Sequence, residues 1–232
     1  MRSEPQILAF DVFGTVVDWH GSIVREIKAL YPQVDASAFA LAWRAGYQPA
    51  MQRVRSGELP WMRIDALHRL ILEELLPDFG LSHLGEAERQ HLNRVWHRLQ
   101  AWPDSAAGLL RLKLRYTICT LSNGNLGLLT NMAKRAGLPW DCILSAEVFR
   151  AYKPDPACYL GVAQVFDLPP GQVMLCAAHH DDLAAARACG LQTAYIERPL
   201  EFGAGAPKDV SPQAGNDLHA RSMLELAGFL GC

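Results

Sequence analysis

Residues 7–15 read Ile-Leu-Ala-Phe-Asp-Val-Phe-Gly-Thr. Four apolar residues at 7–10 run without alternation, as a strand buried on both faces of a parallel sheet does. The run ends in Asp11, and Gly14 permits a tight turn just after it. Open α/β sheets bind their ligands beyond the carboxyl ends of their strands, so an acidic residue there is a candidate for chemistry.

After Trp19 the apolar spacing becomes helical. Ile23, Ile27 and Leu30 share one face, and Phe39, Trp43, Ala50 and Val54 mark a second stretch, interrupted at Pro49 and closed by Gly57. Pro60 opens a third, with Trp61, Ile64, Leu67, Ile71 and Leu75, and residues 86–100 form a fourth around Leu92, Val95, Trp96 and Leu99. Beyond Trp102-Pro103 strands and helices alternate. The pattern predicts strands at 116–121, 142–145, 173–177 and 193–196, and helices at 126–136, 155–166, 183–189 and 223–230. The Gly- and Pro-rich segment 201–216 reads as a surface loop. The expected fold class is α/β, a doubly wound parallel sheet with an inserted helical cap domain. Residues 1–18 and 102–232 would form the core and 19–101 the cap.

Composition narrows the function classes. The chain has 232 residues, 50% hydrophobic, enough for a sizeable core with an appended domain. A net charge of −2 gives no basic footprint for nucleic acid or a membrane surface. No apolar run is long enough to span a bilayer. The opening MRSEPQ is charged and leads straight into a strand, without a secretory signal, so a cytoplasmic protein is expected. Six cysteines are scattered without metal-finger spacing and read as reduced core thiols, although Cys176 borders a candidate site segment.

Four strand ends carry polar residues: Asp11 to Thr15, Ser122-Asn123, Lys153-Pro154, and His179-His180-Asp181-Asp182. Each is ordinary alone. An Asp after a strand usually caps a helix, Ser-Asn-Gly and Lys-Pro are common turns, and acidic pairs favour helix N-termini. Their arrival in order on successive strand ends of one sheet favours a catalytic reading.

In that order the chain resembles the haloacid dehalogenase superfamily, over nearly its whole length and including the helical cap. Within it the chain is most similar to the L-2-haloacid dehalogenases. Asp11-Val-Phe13-Gly14-Thr15 matches their first motif, Leu121 to Asn125 their second, and Trp43-Arg44 a pair on an early cap helix. Phosphatases of the superfamily place a second Asp two residues after the nucleophile as general acid, where this chain has Phe13. They also hold magnesium at the fourth strand end, where the first acidic position is Ala177 here. A halide leaving group needs neither. The resemblance therefore implies a dehalogenase without metal or cofactor, acting on small halogenated carboxylic acids with water and releasing halide. A magnesium-dependent phosphatase or phosphonate hydrolase is the alternative, and a non-catalytic binding domain a third reading. Related dehalogenases are often homodimers, so a homodimer is expected from the resemblance.

The resemblance also assigns roles. Asp11 would displace the halide and form an ester, which water then cleaves. Thr15 would hold the Asp11 carboxylate, and Lys153 would keep it ionised. Ser122 and Asn123 would bind the substrate carboxylate, with Tyr159 and Phe13 beside the substrate. Arg44 would stabilise the departing halide. Asp182 would orient the hydrolytic water. Where the family's better-known pattern has Ser-Ser-Asn, this chain has Ala177-Ala178-His179, so His179 is a candidate to bind or deprotonate that water. Tyr47 and Trp61 could wall the pocket, with plain core packing the first reading for Trp61.

Overall fold

Residue Asp11 leaves the middle of a six-stranded parallel sheet. The structure, a computed structural model, describes residues 4–232, so the first three of the charged N-terminal residues lie outside the described residues. The strands are β1 (Ile7–Phe10), β4 (Thr117–Ser122), β5 (Cys142–Ser145), β6 (Val173–Ala177), β7 (Gln192–Ile196) and β8 (Leu218–Ala220). Their order is β5-β4-β1-β6-β7-β8, and each adjacent pair is parallel. The chain leaves β1 toward β4 on one side and later fills β6 on the other. The carboxyl end of β1 is thus the switch point at which such sheets open a crevice. All four residues of β1 are buried, as an unbroken apolar run requires.

A two-stranded antiparallel ribbon, β2 (Val17–Asp18) with β3 (Gln100–Ala101), pairs the chain where it leaves the core with the chain where it returns. Between them run the cap helices α1 (Trp19–Leu30), α2 (Ala36–Ala45), α3 (Tyr47–Arg55), α4 (Ile64–Leu75) and α5 (Glu86–Asn93). Asp18 caps α1 by accepting the Gly21 N–H, and Asp35 caps α2 through Ser37 and Ala38. The core helices are α6 (Ser105–Lys113), α7 (Leu126–Ala136), α8 (Ala146–Phe149), α9 (Pro156–Val165), α10 (His180–Ala188) and α11 (Met223–Phe229). Among the described residues no helix is long and apolar enough to cross a membrane.

Several boundaries differ from those the sequence predicts. The break in the second cap stretch falls at Gly46 rather than Pro49, which sits in the first turn of α3. Pro49 has no N–H for the Ala45 carbonyl, so the ladder ends a turn earlier, while a first-turn N–H needs no helical partner. Gly46 also suits the break because an added Cβ there would lie 2.5 Å from Ile71. The third cap helix begins at Ile64, not Pro60. Trp61 instead stacks on Tyr152, whose hydroxyl donates to the Met62 carbonyl, and these tertiary contacts hold the segment extended. The fourth cap stretch leaves the α-helix at Asn93 for a short 3₁₀ turn and then β3. Helix α10 starts at His180, three residues before the expected start, with Asp181 and Asp182 in its first turn. Strand β8 and helix α6 are additional elements. The segment 201–216 holds no helix or strand, as expected.

Candidate active site

The loop after β1 is held from three sides. Its carbonyls at Gly14, Thr15 and Val16 accept hydrogen bonds from the Trp102 indole (2.9 Å), Arg198 Nε (2.8 Å) and Ser105 hydroxyl (2.8 Å). Asp104 in turn accepts from both terminal nitrogens of Arg198 at 3.1 Å. Asp11 therefore stands on a braced turn, with its own N–H still in the ladder to Cys176 at 3.1 Å.

Both oxygens of the Asp11 carboxylate are engaged. Oδ1 accepts from Lys153 Nζ at 2.9 Å, and Oδ2 accepts from Thr15 Oγ1 at 2.7 Å and faces His179 Nδ1 at 3.2 Å. Thr15 also accepts the Ala178 N–H at 2.9 Å, which fastens the β1 loop to the β6 loop. Lys153 Nζ reaches Asp182 Oδ2 at 2.5 Å, and Asp182 Oδ1 accepts the Tyr159 hydroxyl at 2.7 Å. Asn123 Oδ1 accepts the Lys153 N–H at 2.8 Å and so fixes the backbone of the lysine loop.

These contacts set the charge states. Burial alone would raise the pKa of Asp11, but the Lys153 charge and His179 outweigh it and hold the carboxyl well below the carboxylate range. Burial would lower Lys153, and the charges of Asp11 and Asp182 raise it instead. Asp182 is pushed up by burial and by the nearby Asp11 charge, against the pull of Lys153. Of the two carboxyls sharing the lysine, Asp11 is the firmly ionised one and the one fit to attack.

A pocket of about 150 Å³ opens beside Asp11. Its walls include Phe13, Arg44, Tyr47, Asn123, Lys153, Tyr159, His179 and Asp182, so most of the expected site residues are brought together. Arg44 lies over the Tyr47 ring at 4.5 Å. Gln48 and Asp181 also line the pocket. Ser122 is buried behind the wall, and its hydroxyl accepts the Gly124 N–H at 3.1 Å. Trp61 is not part of this wall. It lines a separate cavity with Arg150 and Tyr152, and Arg150 lies 4.1 Å over its ring.

Phe13 occupies the position that an acid holds in phosphatases, and it is locked among aromatics. Its ring meets Trp96 edge-on at 5.8 Å and His68 at 6.4 Å, and Trp96 packs in turn on Trp43 and Trp19. Lys153 Nζ fills the gap between Asp11 and Asp182 where a cation would sit, and Ala177 offers no ligand. Among the described residues no group of three or more His, Cys, Asp or Glu is arranged to hold a metal ion. The residues present do not fit a catalytic magnesium.

One site residue has no signal in the sequence. Glu201, in the segment expected to be a surface loop, is fully buried at 0% exposure. Its Oε1 lies 2.8 Å from His179 Nε2 and accepts the Trp19 indole N–H at 3.3 Å, while Oε2 accepts from Lys208 Nζ at 2.6 Å. Gly14 makes room for it. An added Cβ would lie 2.2 Å from Glu201 Oε1, and φ is +83°. Gly14→Ala is therefore expected to cost about 1–3 kcal/mol by strain and to displace Glu201 from His179. A melt with turnover measured in parallel checks this, and unchanged values for both would contradict it.

Burial would lower the pKa of His179, but the Glu201 charge and the contact with Asp11 raise it from 6.5 to about 9. Burial would raise Glu201, but His179 and Lys208 lower it from 4.5 to about 2. A raised base stabilises the fold fully below its unfolded pKa, and that stability is lost as pH rises through the folded value. A lowered acid stabilises fully above its unfolded pKa, and that stability is lost as pH falls through the folded value. The pair thus contributes most between pH 4.5 and 6.5. Between pH 6.5 and 9 the Tm of the protein is expected to fall faster than that of His179→Gln. Parallel melting curves over that range would contradict the assignment.

The parallel sheet, the inserted cap and a strand-end carboxylate at a pocket together place the chain in a class of hydrolases. The chain belongs to the haloacid dehalogenase-like hydrolases, whose family model matches residues 5–190. It is 30% identical over 200 residues to (S)-2-haloacid dehalogenase 4A of Burkholderia cepacia, covering 82% of this chain and 81% of the relative. Among solved structures it resembles the L-2-haloacid dehalogenase PA0810, at 49% identity and TM-score 0.93, over 98% of this chain and 100% of that one. It also resembles the defluorinating L-2-haloacid dehalogenase Rha0230, at 44% identity and TM-score 0.94, over 98% and 96% of the two chains. Glu201 lies beyond the span that the family model matches.

Proposed function

We propose that the protein hydrolyses small L-2-haloalkanoic acids, such as haloacetate and 2-halopropionate, to 2-hydroxy acids through an ester on Asp11. The observation that carries this is the ionised, doubly anchored Asp11 carboxylate at a small pocket where Phe13 takes the place of the phosphatases' general acid. In the first half-reaction an Asp11 oxygen attacks the halogen-bearing carbon and the halide departs with its bonding pair. Arg44 lies on the cap side of the pocket, where it can meet the developing halide charge. Lys153 keeps Asp11 ionised before attack, and Thr15 fixes its orientation. Asn123, with the turn that Ser122 stabilises, faces the substrate carboxylate, and Phe13 and Tyr159 limit its size. In the second half-reaction water attacks the ester carbonyl, with His179 and Asp182 as the groups available to bind and activate it.

Fluoroacetate belongs to the same proposal, supported by the small pocket and by the likeness to a defluorinating enzyme. Division into a core of 1–18 and 102–232 and a cap of 19–101 is supported by the ribbon that joins the two crossings. A homodimer rests on the family resemblance. The test is halide release from chloroacetate, (S)-2-chloropropionate and fluoroacetate with a metal chelator present. Release with chelator is the expected result. No release, together with magnesium-dependent hydrolysis of an aryl phosphate, would replace this reading with the phosphatase one.

A further inference from the structure

His179 is bracketed by two carboxylates. Nδ1 faces Asp11 Oδ2 at 3.2 Å and Nε2 faces Glu201 Oε1 at 2.8 Å. An ionised carboxylate can only accept, so satisfying both contacts requires a hydrogen on each ring nitrogen, which is the imidazolium. The charges around it are Asp11 at the end of β1, Glu201 and Lys208 on the 201–216 segment, Lys153 on the loop before α9, and Asp182 on α10. With His179 as a cation, three acidic and three basic groups face one another. A protonated ring cannot take a proton from water, so the resting state holds this residue unable to act as a base.

We propose that His179 is a base gated by the charge of Asp11, cationic while Asp11 is a carboxylate and neutral once Asp11 is an ester, with Glu201 as the positioning residue that holds the ring through the change. The proposal rests on the reading of Asp11 as nucleophile. Attack by Asp11 forms the carbon–oxygen bond and breaks the carbon–halogen bond, and the negative charge leaves on the halide. The ester oxygens no longer carry the charge that held the proton on Nδ1. That proton passes to solvent and leaves a lone pair directed at the ester. Glu201 still accepts from Nε2–H, so the ring keeps its orientation and its remaining tautomer is fixed. Water then adds to the ester carbonyl and gives one proton to Nδ1. The tetrahedral intermediate collapses with its own hydroxyl proton going to the departing alkoxide. Asp11 returns as a carboxylate and His179 as a cation, so the cycle closes. Overall, haloacid and water give hydroxy acid, halide and one proton. That proton is released between the two half-reactions.

The burial of Glu201 fits this role. Lys208, the Trp19 indole and the close approach of Gly14 fix its carboxylate, so it cannot swing with the ring. A cation held by Asp11 alone would lose its only anchor at the moment of esterification.

Two measurements test the proposal. The first follows the His179 ring nitrogens by NMR through a pH titration of the wild type and of Asp11→Asn, whose neutral amide stands in for the ester. The His179 midpoint is expected to fall by at least about one pH unit in the variant, a tenfold change in proton affinity. An unchanged midpoint overturns the gate. The second follows halide release and intact mass in Glu201→Gln. One halide per site is expected at close to the wild-type rate, followed by turnover about 10²-fold slower and accumulation of the acyl-enzyme mass. Glu201→Asp is expected to restore part of the turnover. A purely structural role would lower the first halide and the later turnover together, and that result overturns the positioning role, as does wild-type turnover in Glu201→Gln. Absence of halide release from the wild type would instead remove the nucleophile reading beneath both.

Discussion

Replacing Asp11 with alanine is expected to lower halide release by about 10⁴-fold or more, the scale on which loss of a covalent nucleophile is felt. No neighbour can stand in for it. Asp182 is committed to Lys153 and to the Tyr159 hydroxyl, and burial raises its pKa. The substitution also leaves the His179 and Lys153 cations each short of one carboxylate contact. Breaking a buried ion pair can cost about 3–5 kcal/mol, and the retained contacts with Asp182 and Glu201 place this variant at the lower end. Halide measured by ion chromatography checks the activity, and a thermal melt shows that the variant is folded. Folded protein with activity within tenfold of wild type would contradict the assignment.

Lys153→Met is expected to have the largest effect on stability. It removes the cation that two buried carboxylates share, at 2.9 and 2.5 Å, and leaves like charges facing each other with little water. A loss of about 3–5 kcal/mol follows, or roughly 6–20 °C in Tm for a chain of this size. Activity falls as well, because Asp11 takes up a proton more readily without the lysine, and a protonated carboxyl is a poor nucleophile. The sign with pH is fixed. Protonating one of the two carboxyls relieves their repulsion, so the Tm gap to wild type should be smaller at pH 5 than at pH 8. A gap that widened on acidification would show that the lysine does not neutralise this pair.

The sequence reveals β1 and its partner strands because their signals are local. Ile7–Phe10 is an unbroken apolar run ending in an acid, and residues 142–145 and 173–177 carry the same kind of run at the same bounds as the observed strands. The cap is legible through helical spacing, although its breaks are not. Those depend on which turn absorbs Pro49 and on Tyr152 holding the Met62 carbonyl, a contact between segments far apart in the chain. Short elements escape for a similar reason. Strand β8 has three residues, and its pairing with β7 rather than its own composition makes it a strand.

Glu201 is the instructive omission. It sits in a stretch whose glycines and prolines correctly indicate the absence of regular structure, and an acid in such a stretch is ordinarily solvated. It is buried because Trp19, His179 and Lys208 converge on it, and no local pattern records that convergence. Gly14 carries an indirect trace. The glycine is needed for the positive φ of the turn and also because the Glu201 carboxylate occupies the space of a side chain. Ser122 is reached through a motif match alone; its buried hydroxyl accepts the Gly124 N–H and keeps its own hydrogen to donate.

The reading of Asp11 as a covalent nucleophile is tested most directly by isotope incorporation in a single turnover. Enzyme in excess over (S)-2-chloropropionate, in heavy-oxygen water, should yield hydroxy acid whose new oxygen comes from the unlabelled Asp11 carboxylate. The heavy oxygen should then be found by mass spectrometry in the peptide that contains Asp11. Label in the product with none in that peptide would mean that water attacks the substrate carbon directly, and would contradict the ester mechanism.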